Sequence, residues 1–250
     1  MSSTTLAAAA LGLAIAAAPL AAANAAELEV LVGGGLTASL KELAPQFEKA
    51  TGHKVDMTFA ATPDLITLST SAPFDAGIVP VDVMKNDAAR AKYVNEQTTI
   101  ARAGFGVAVR SGAAKPDVST PEAFKAALLK AQSISTLPAS AAGAYVQKVF
   151  ERLGIAADMK AKTKPAAIPG DIPKAVASGE AELGVFLTNV MIAPGVDIAG
   201  SFPGDLQQAL VFVGGVAAES KSPDAANAFL KFLKTPEAAA VFTAKGVMPG

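Results

Sequence analysis

Three turns along the chain combine small residues with hydroxyl groups at the start of a predicted helix. They are Gly33-Gly34-Gly35-Leu36-Thr37, Ala60-Ala61-Thr62-Pro63 and Ser140-Ala141-Ala142-Gly143. Glycine lets a ligand approach the main chain, and the first turn of a helix offers unpaired N–H groups to an anion. Each such helix end stabilises a bound anion by about 0.3–1 kcal/mol. Together the three turns predict a site for a small anion, built mainly from main-chain dipoles.

Each turn also has a purely structural explanation. The three glycines could form only a tight turn, while Thr62 and Ser140 could cap their own helices. Considered one at a time, both hydroxyl groups are better explained as caps. The glycine turn lacks the G-x-G-x-x-G spacing of dinucleotide sites, and no Gly-Lys-Ser/Thr follows it, so a nucleotide ligand is not predicted.

Two charged residues near predicted strands are further candidates. Arg102 lies within the apolar strand predicted from Ile100 to Arg110, where a charged group needs a partner. A guanidinium pairs bidentately with a carboxylate, so both a ligand carboxylate and an internal Asp or Glu remain open as that partner. Asp82 follows Pro80 near the end of another strand, and it is a candidate for a catalytic base.

The composition excludes several classes of site. The net charge is −1 over 250 residues, which argues against nucleic-acid binding because that requires a basic face. The chain has no cysteine and one histidine, so thiolate chemistry and sites with several imidazoles are excluded. Neither a metal nor a cofactor is predicted. His53 lies in a predicted helix-to-strand turn and is expected to be exposed.

The N-terminal segment predicts export. Leu6 to Ala18 is apolar but shorter than the roughly 20 residues that a membrane span needs. Small residues at Ala23 and Ala25 predict cleavage after Ala25, which makes residues 1–25 a signal peptide. The rest of the chain has no apolar run of membrane length, so a soluble mature protein is expected.

Strand-like and helix-like segments alternate from Leu28 to the last helix, which starts near Pro236. This alternation predicts an α/β protein whose parallel strands are covered by helices on both faces. No connection is long enough to be a flexible linker, so a second lobe would have to be inserted within the first.

Five segments together resemble one known family. They are Val30 to Thr37, Glu48 to Val55, Pro138 to Tyr145, Ser178 to Val185 and Pro223 to Leu230. The chain is similar over nearly all of its mature length to the periplasmic substrate-binding proteins of ABC transporters, in the molybdate-binding-like branch.

The resemblance implies a type II periplasmic binding protein fold, in which each of two lobes is a mixed sheet flanked by helices. Lobe one would comprise residues 26–107 and 210–250, and lobe two residues 108–209. It also implies a periplasmic monomer that closes on a small anion and delivers it to an ABC permease. Thr188 and Asn189, after a late strand, would join the three turns as ligand contacts.

The resemblance leaves the ligand open. Molybdate binders have serine where this chain has glycine in the first turn, and a Ser-Gly pair where it has Thr62-Pro63. They also have a tyrosine that is missing from Phe186-Leu187-Thr188-Asn189-Val190. Both a molybdate-like oxyanion and an organic carboxylate, to which Arg102 is suited, remain candidates. The same resemblance extends to an isomerase that moves the double bond of aconitate, so an enzyme is the alternative, and a sensory role is a third.

Overall fold

The computed structural model of the protein describes residues 25–250, so the predicted signal peptide lies outside the described residues except for Ala25. Ten strands follow in chain order: β1 (Glu27–Gly33), β2 (Lys54–Ala60), β3 (Ala76–Pro80), β4 (Tyr93–Arg110), β5 (Ile134–Thr136), β6 (Thr163–Pro165), β7 (Leu183–Leu187), β8 (Val196–Ser201), β9 (Ala209–Ala217) and β10 (Met248–Pro249). The α-helices are α1 (Thr37–Thr51), α2 (Thr62–Ser71), α3 (Asp87–Arg90), α4 (Pro121–Lys130), α5 (Ala141–Arg152), α6 (Ala156–Lys162), α7 (Asp171–Ser178), α8 (Pro223–Phe232) and α9 (Pro236–Ala244). Short 3-10 helices cover Gly34–Leu36, Val81–Lys85, Thr188–Met191 and Gly204–Leu206.

The strands form one mixed sheet in each lobe. In the first, β2, β1 and β3 are parallel, and β9 and then β4 continue the sheet in antiparallel fashion. In the second, β7 and β8 pair antiparallel with β4, while β7, β5 and β6 are parallel. The predicted α/β class with a mixed sheet in each lobe is confirmed.

The long strand β4 belongs to both sheets. It pairs with β9 as far as Gly104, and from Phe105 onwards it pairs with β7 and β8. The chain returns to the first sheet between β8 and β9, where the Gln207 side chain accepts a hydrogen bond from Phe105 N (3.0 Å) and donates one to Phe105 O (2.8 Å). This side-chain amide extends the β4–β9 pairing by one step across the lobe junction. The boundaries at 107/108 and 209/210 stay predictions.

Helix ends follow local signals where the sequence carries them. The C-terminus of α1 is closed by Gly52 at φ 78°, a conformation that favours glycine. Thr120 caps α4 by accepting a hydrogen bond from Ala123 N at 3.1 Å, as its position before Pro121 predicts. Among residues 25–250, none of the helices is long and apolar enough to cross a membrane.

Two local predictions are wrong. The residue pattern from Val81 to Tyr93 predicts a helix, but the segment holds only the Val81–Lys85 turn and the short α3 before β4 begins. His53, expected to be exposed, is half-buried. Its Nδ1 atom accepts a hydrogen bond from Ala26 N (3.1 Å), and its ring stacks on Phe47 with centroids 5.9 Å apart, so it joins β1 to α1.

Asp75 ties β1 to the segment before α8. It is 6% exposed and accepts hydrogen bonds from Glu29 N (3.0 Å), Ser220 Oγ (2.7 Å), Lys221 N (3.0 Å) and Ser222 N (3.3 Å). Burial alone would raise the pKa of Asp75, but these hydrogen bonds outweigh it and lower the pKa below its usual 3.8. The carboxylate therefore stabilises the folded state when it is ionised.

Asp75→Asn is expected to lower the free energy of unfolding by about 1 kcal/mol near neutral pH, because an amide cannot accept all of these hydrogen bonds. Since the folded-state pKa is depressed, the stabilisation is present above the unfolded-state value of 3.8 and is lost as the pH falls through the lower folded value. Urea unfolding at several pH values measures this, with Asp56→Asn on the exposed face of β2 as the control. An equal loss of stability at pH 7 in both variants would contradict this role.

Candidate functional site

A cavity of about 500 Å³ lies between the two lobes. From lobe one, the wall is formed by residues of the glycine turn Gly33 to Thr37 (the first turn), the start of α1, the end of β2 and the start of α2. Lobe two lines it with the loop Ala167 to Gly170 and with Asn189, Val190 and Ile192. Its volume falls within the range of about 300–1,000 Å³ that is usual for small-molecule sites. The cavity is the candidate ligand site.

The first turn is crowded by protein rather than strained in its main chain. A Cβ atom on Gly35 would lie 2.9 Å from both Leu187 Cδ1 and Phe212 Cζ, and one on Gly34 would lie 3.0 Å from Pro169 Cγ. Glycine at these positions therefore lets β7, β9 and the loop of lobe two approach the main chain. Thr37 Oγ1 donates a hydrogen bond to Gly34 O (2.8 Å), which fixes the entry into α1.

The second turn joins the two lobes directly. Thr62 is the first residue of α2 and does not cap it, so that prediction is wrong. Instead its Oγ1 atom accepts a hydrogen bond from Ala141 N at 3.0 Å, the first main-chain N–H of α5 in the other lobe. The Thr62 hydroxyl oxygen thus accepts a hydrogen bond from one of the N–H groups that the first turn of α5 leaves unpaired. Thr62 is not in the wall of the large cavity, although Ala61 and Asp64 are.

The third turn is a helix cap. Ser140 Oγ accepts a hydrogen bond from Gly143 N (2.9 Å) and donates one to Leu137 O (2.8 Å), as the capping interpretation predicts. Gly143 is buried, and a Cβ atom there would overlap the Leu137 carbonyl. Neither residue lines the large cavity, and contact of Ser140 or Gly143 with a ligand stays a prediction.

Asn189 connects lobe two to the first turn. Its Nδ2 atom donates a hydrogen bond to Gly35 O (2.7 Å), and its Oδ1 atom is buried without a hydrogen-bond partner among residues 25–250. Its neighbour Thr188 lies outside the cavity wall and packs against Gly106 of β4, where an added Cβ would be 2.8 Å from Thr188 Oγ1. The structure therefore brings Gly34, Gly35, Thr37 and Asn189 together.

Sequence reasoning missed the two charged residues that line the cavity, Lys41 and Asp64. Lys41 follows Thr37 by one helical turn on the same face of α1, a spacing that could have indicated it. Its ammonium lies 5.8 Å from the centre of the Phe59 ring. Neither charge forms a salt bridge within the described part of the chain. The loop Ala167 to Gly170 carries no residue-level signal that could have revealed it.

Asp82 and Arg102 lie apart from this cavity. Asp82 lines a smaller one, of about 240 Å³, which is also bounded by α5 and the start of β9, and it forms a salt bridge with Lys85 (2.6 Å). Arg102 is half-buried on β4 opposite Val211, which lines the smaller cavity, so the two side chains share a face of the sheet. Roles for Asp82 and Arg102 in ligand contact or catalysis stay predictions.

Residues 28–247 match a family model described as bacterial extracellular solute-binding protein. The chain belongs to this family. This solute-binding protein is 34% identical to an aconitate isomerase from a Pseudomonas species, and the match covers 92% of this chain and 90% of the isomerase. A molybdate-binding protein of Azotobacter vinelandii is 32% identical over 90% of the chain and 91% of the relative.

The fold comparison agrees with the family. A solved structure of the periplasmic molybdate-binding protein of Azotobacter vinelandii superimposes with a TM-score of 0.73 at 22% identity, covering 89% of this chain and 99% of that one. The predicted family and two-lobed fold are confirmed. The cavity of this solute-binding protein thus lies where its two lobes meet.

Proposed function

We propose that this protein captures a small anion between its lobes outside the cytoplasm and delivers it to an ABC permease. The observation that carries the proposal is the cavity between the lobes. Lys41 and the start of α1 line one side of it, and Asn189 lines the other. The N-terminus of a 15-residue helix and a cation on its second turn both favour a negative charge.

Cleft closure gives the binding step its physical basis. Two direct hydrogen bonds, from Asn189 to Gly35 and from Ala141 to Thr62, join the lobes in this structure. A ligand that touches both lobes stabilises this arrangement relative to an open one, and a permease can distinguish the two. The similarity to a molybdate-binding protein and the signal-like residues 1–25 support a periplasmic location and a transport role.

A thermal-shift panel tests the proposal. The mature chain, starting at Ala26, would be heated with molybdate, tungstate, sulfate, citrate and both aconitates, each at 1,000 times an expected Kd. Stabilisation by about 4 kcal/mol is expected from a compound that binds only the folded state. Tetramethylammonium chloride, a small cation without a carboxylate, serves as the control. No shift with any anion would contradict small-anion capture.

The second candidate function is isomerisation of a small tricarboxylate. It is favoured by the 34% identity to an aconitate isomerase and by a carboxylate, Asp64, in the wall of the cavity. Such a reaction needs a base to take a proton from one carbon, a shift of the electron pair that moves the double bond, and return of the proton to another carbon. Positive charge from Lys41 would stabilise the enolate-like state.

Incubation with trans-aconitate, followed by chromatography of the products, separates the two functions. Formation of the cis isomer by the wild type but not by Asp64→Asn would identify an enzyme. Binding of an anion with no conversion would leave capture alone.

A further inference from the structure

We propose that the ligand of the cleft is a small carboxylate that also carries a hydrogen-bond donor, a hydroxyl or ammonium group, and that Asp64 and Asn189 select for this donor. This inference rests on the proposed function and chooses among its ligands. Asp64 and Asn189 are hydrogen-bond acceptors in the cavity wall, and a fully ionised oxyanion has no donor with which to pair them.

Asn189 presents an acceptor with a fixed orientation. Its amide nitrogen must be the atom that faces Gly35 O, because a carbonyl oxygen only accepts hydrogen bonds, and the distance is 2.7 Å. The other amide atom, Oδ1, is therefore an acceptor. The residue is 7% exposed and lines the cavity, while Oδ1 itself is buried and has no partner in the described part of the chain, so a donor on the ligand reaches it when the wall of the cavity adjusts. A buried acceptor without a donor destabilises the protein, so a donor on the ligand is favoured here.

Asp64 adds a second acceptor, which is charged. It lies in the first turn of α2, lines the same cavity as Lys41, and forms no salt bridge with it or with another residue of the range 25–250. The cavity thus holds one free cation and one free anion. A ligand with a carboxylate and a donor matches both, whereas a fully ionised oxyanion such as molybdate has no donor to offer to Asp64.

The size and the remaining walls point the same way. A four-oxygen anion fills roughly 100 Å³, judged from about 30 Å³ for each water of similar size, whereas the cavity holds about 500 Å³. Phe59, Ile168 and Ile192 contribute apolar side chains to the wall. These groups suit the carbon skeleton of an organic acid and offer nothing to molybdate.

Titration calorimetry of the mature protein with succinate, malate, aspartate and molybdate tests the inference. The three organic acids share a four-carbon skeleton and differ in having no donor, a hydroxyl or an ammonium group. Malate or aspartate is expected to bind about 10-fold more tightly than succinate and molybdate, and the better of the two identifies the donor. Citrate and its analogue without the hydroxyl, tricarballylate, repeat the comparison on a larger skeleton.

The decisive variant is Asp64→Asn, which keeps the shape of the side chain but removes its charge. It is expected to bring the affinities for the donor-bearing acid and for succinate to within about threefold of each other. The control is Asp224→Asn, because Asp224 follows Pro223 at the start of α8 as Asp64 follows Pro63, but lies outside the cavity. Unchanged melting temperatures for both variants would show that folding is not the cause.

The outcomes separate the two levels of proposal. Equal affinity for succinate and malate, or tightest binding of molybdate, would overturn the donor inference and leave small-anion capture intact. Binding of none of these compounds, nor of any anion in the thermal-shift panel, would overturn both.

Discussion

Gly143→Ala is expected to destabilise lobe two by about 3 kcal/mol. A Cβ atom at this position would overlap the Leu137 carbonyl oxygen and would lie 2.6 Å from the Leu137 carbonyl carbon and 2.8 Å from Pro138 Cα. These are main-chain atoms, so no side-chain rotation relieves the contact, and either the turn after β5 or the start of α5 must move. The shift would also disturb the hydrogen bond from Ala141 N to Thr62 Oγ1, which joins the lobes.

Urea unfolding with a probe in lobe two measures the loss of stability. The matched control is Gly170→Ala, because Gly170 has a helical main chain (φ −66°, ψ −12°) and an added Cβ would meet no atom within 4 Å. That change is expected to be neutral or to stabilise the protein by about 0.4–1 kcal/mol, since alanine narrows the unfolded ensemble. Similar unfolding midpoints for the two variants would show that the turn at Gly143 adapts to a side chain.

The fold was predictable because its signals are local and repeated. Apolar strands such as β1 and β3 alternate with helices whose starts carry Thr-Pro or Ser-Pro pairs, and resemblance to a family supplied the two-lobed arrangement. The start of β4 was missed because its first residues carry no clear alternation and pair with β9 in an irregular register, broken between Val94 and Thr98 and again between Thr99 and Ala101. Only the distant partner strand makes this segment extended.

The candidate site was predictable only in part, for the same reason. The glycine turn and Asn189 were named from sequence, and they do line one cavity. Thr62 has every local feature of an N-cap, but its acceptor is used by Ala141, 79 residues away. Nothing in the local sequence specifies that contact, because it depends on how the two lobes meet.

Contacts between residues remote in the chain also explain why the first turn has glycine where molybdate binders have serine. The neighbours that crowd Gly35 are Leu187, which is remote in the chain, and Phe212, which comes from β9. A hydroxymethyl group there would have to displace a buried ring, whose Cζ atom already lies 2.9 Å from the Cβ position. A serine at Gly35 would therefore require Leu187 and Phe212 to shift, which disfavours a serine donor in this turn.

Lys41→Gln is expected to weaken binding of the preferred carboxylate about 30-fold, or about 2 kcal/mol. Lys41 is the only cation in the wall of the large cavity among the described residues, and it forms no salt bridge there that would reduce its charge. A charge-assisted hydrogen bond contributes about 1.5–3 kcal/mol, and the lower part of this range applies because Lys41 is exposed. Glutamine is one bond shorter but keeps a donor, so the main change is the loss of the charge.

Calorimetry at two salt concentrations separates this role from a general effect of charge. The wild type is expected to lose affinity as salt is raised from 0.05 to 0.5 M, and Lys41→Gln to lose much less, because screening acts on the charge that the variant lacks. Lys49→Gln is the control, since Lys49 lies in the last turn of the same helix, exposed and outside the cavity. If Lys49→Gln weakens binding as much as Lys41→Gln, the anion is held by the overall field of the lobe. If neither does, the ligand charge is carried by the main-chain N–H groups of the turns, and the cavity would bind anions without a cation.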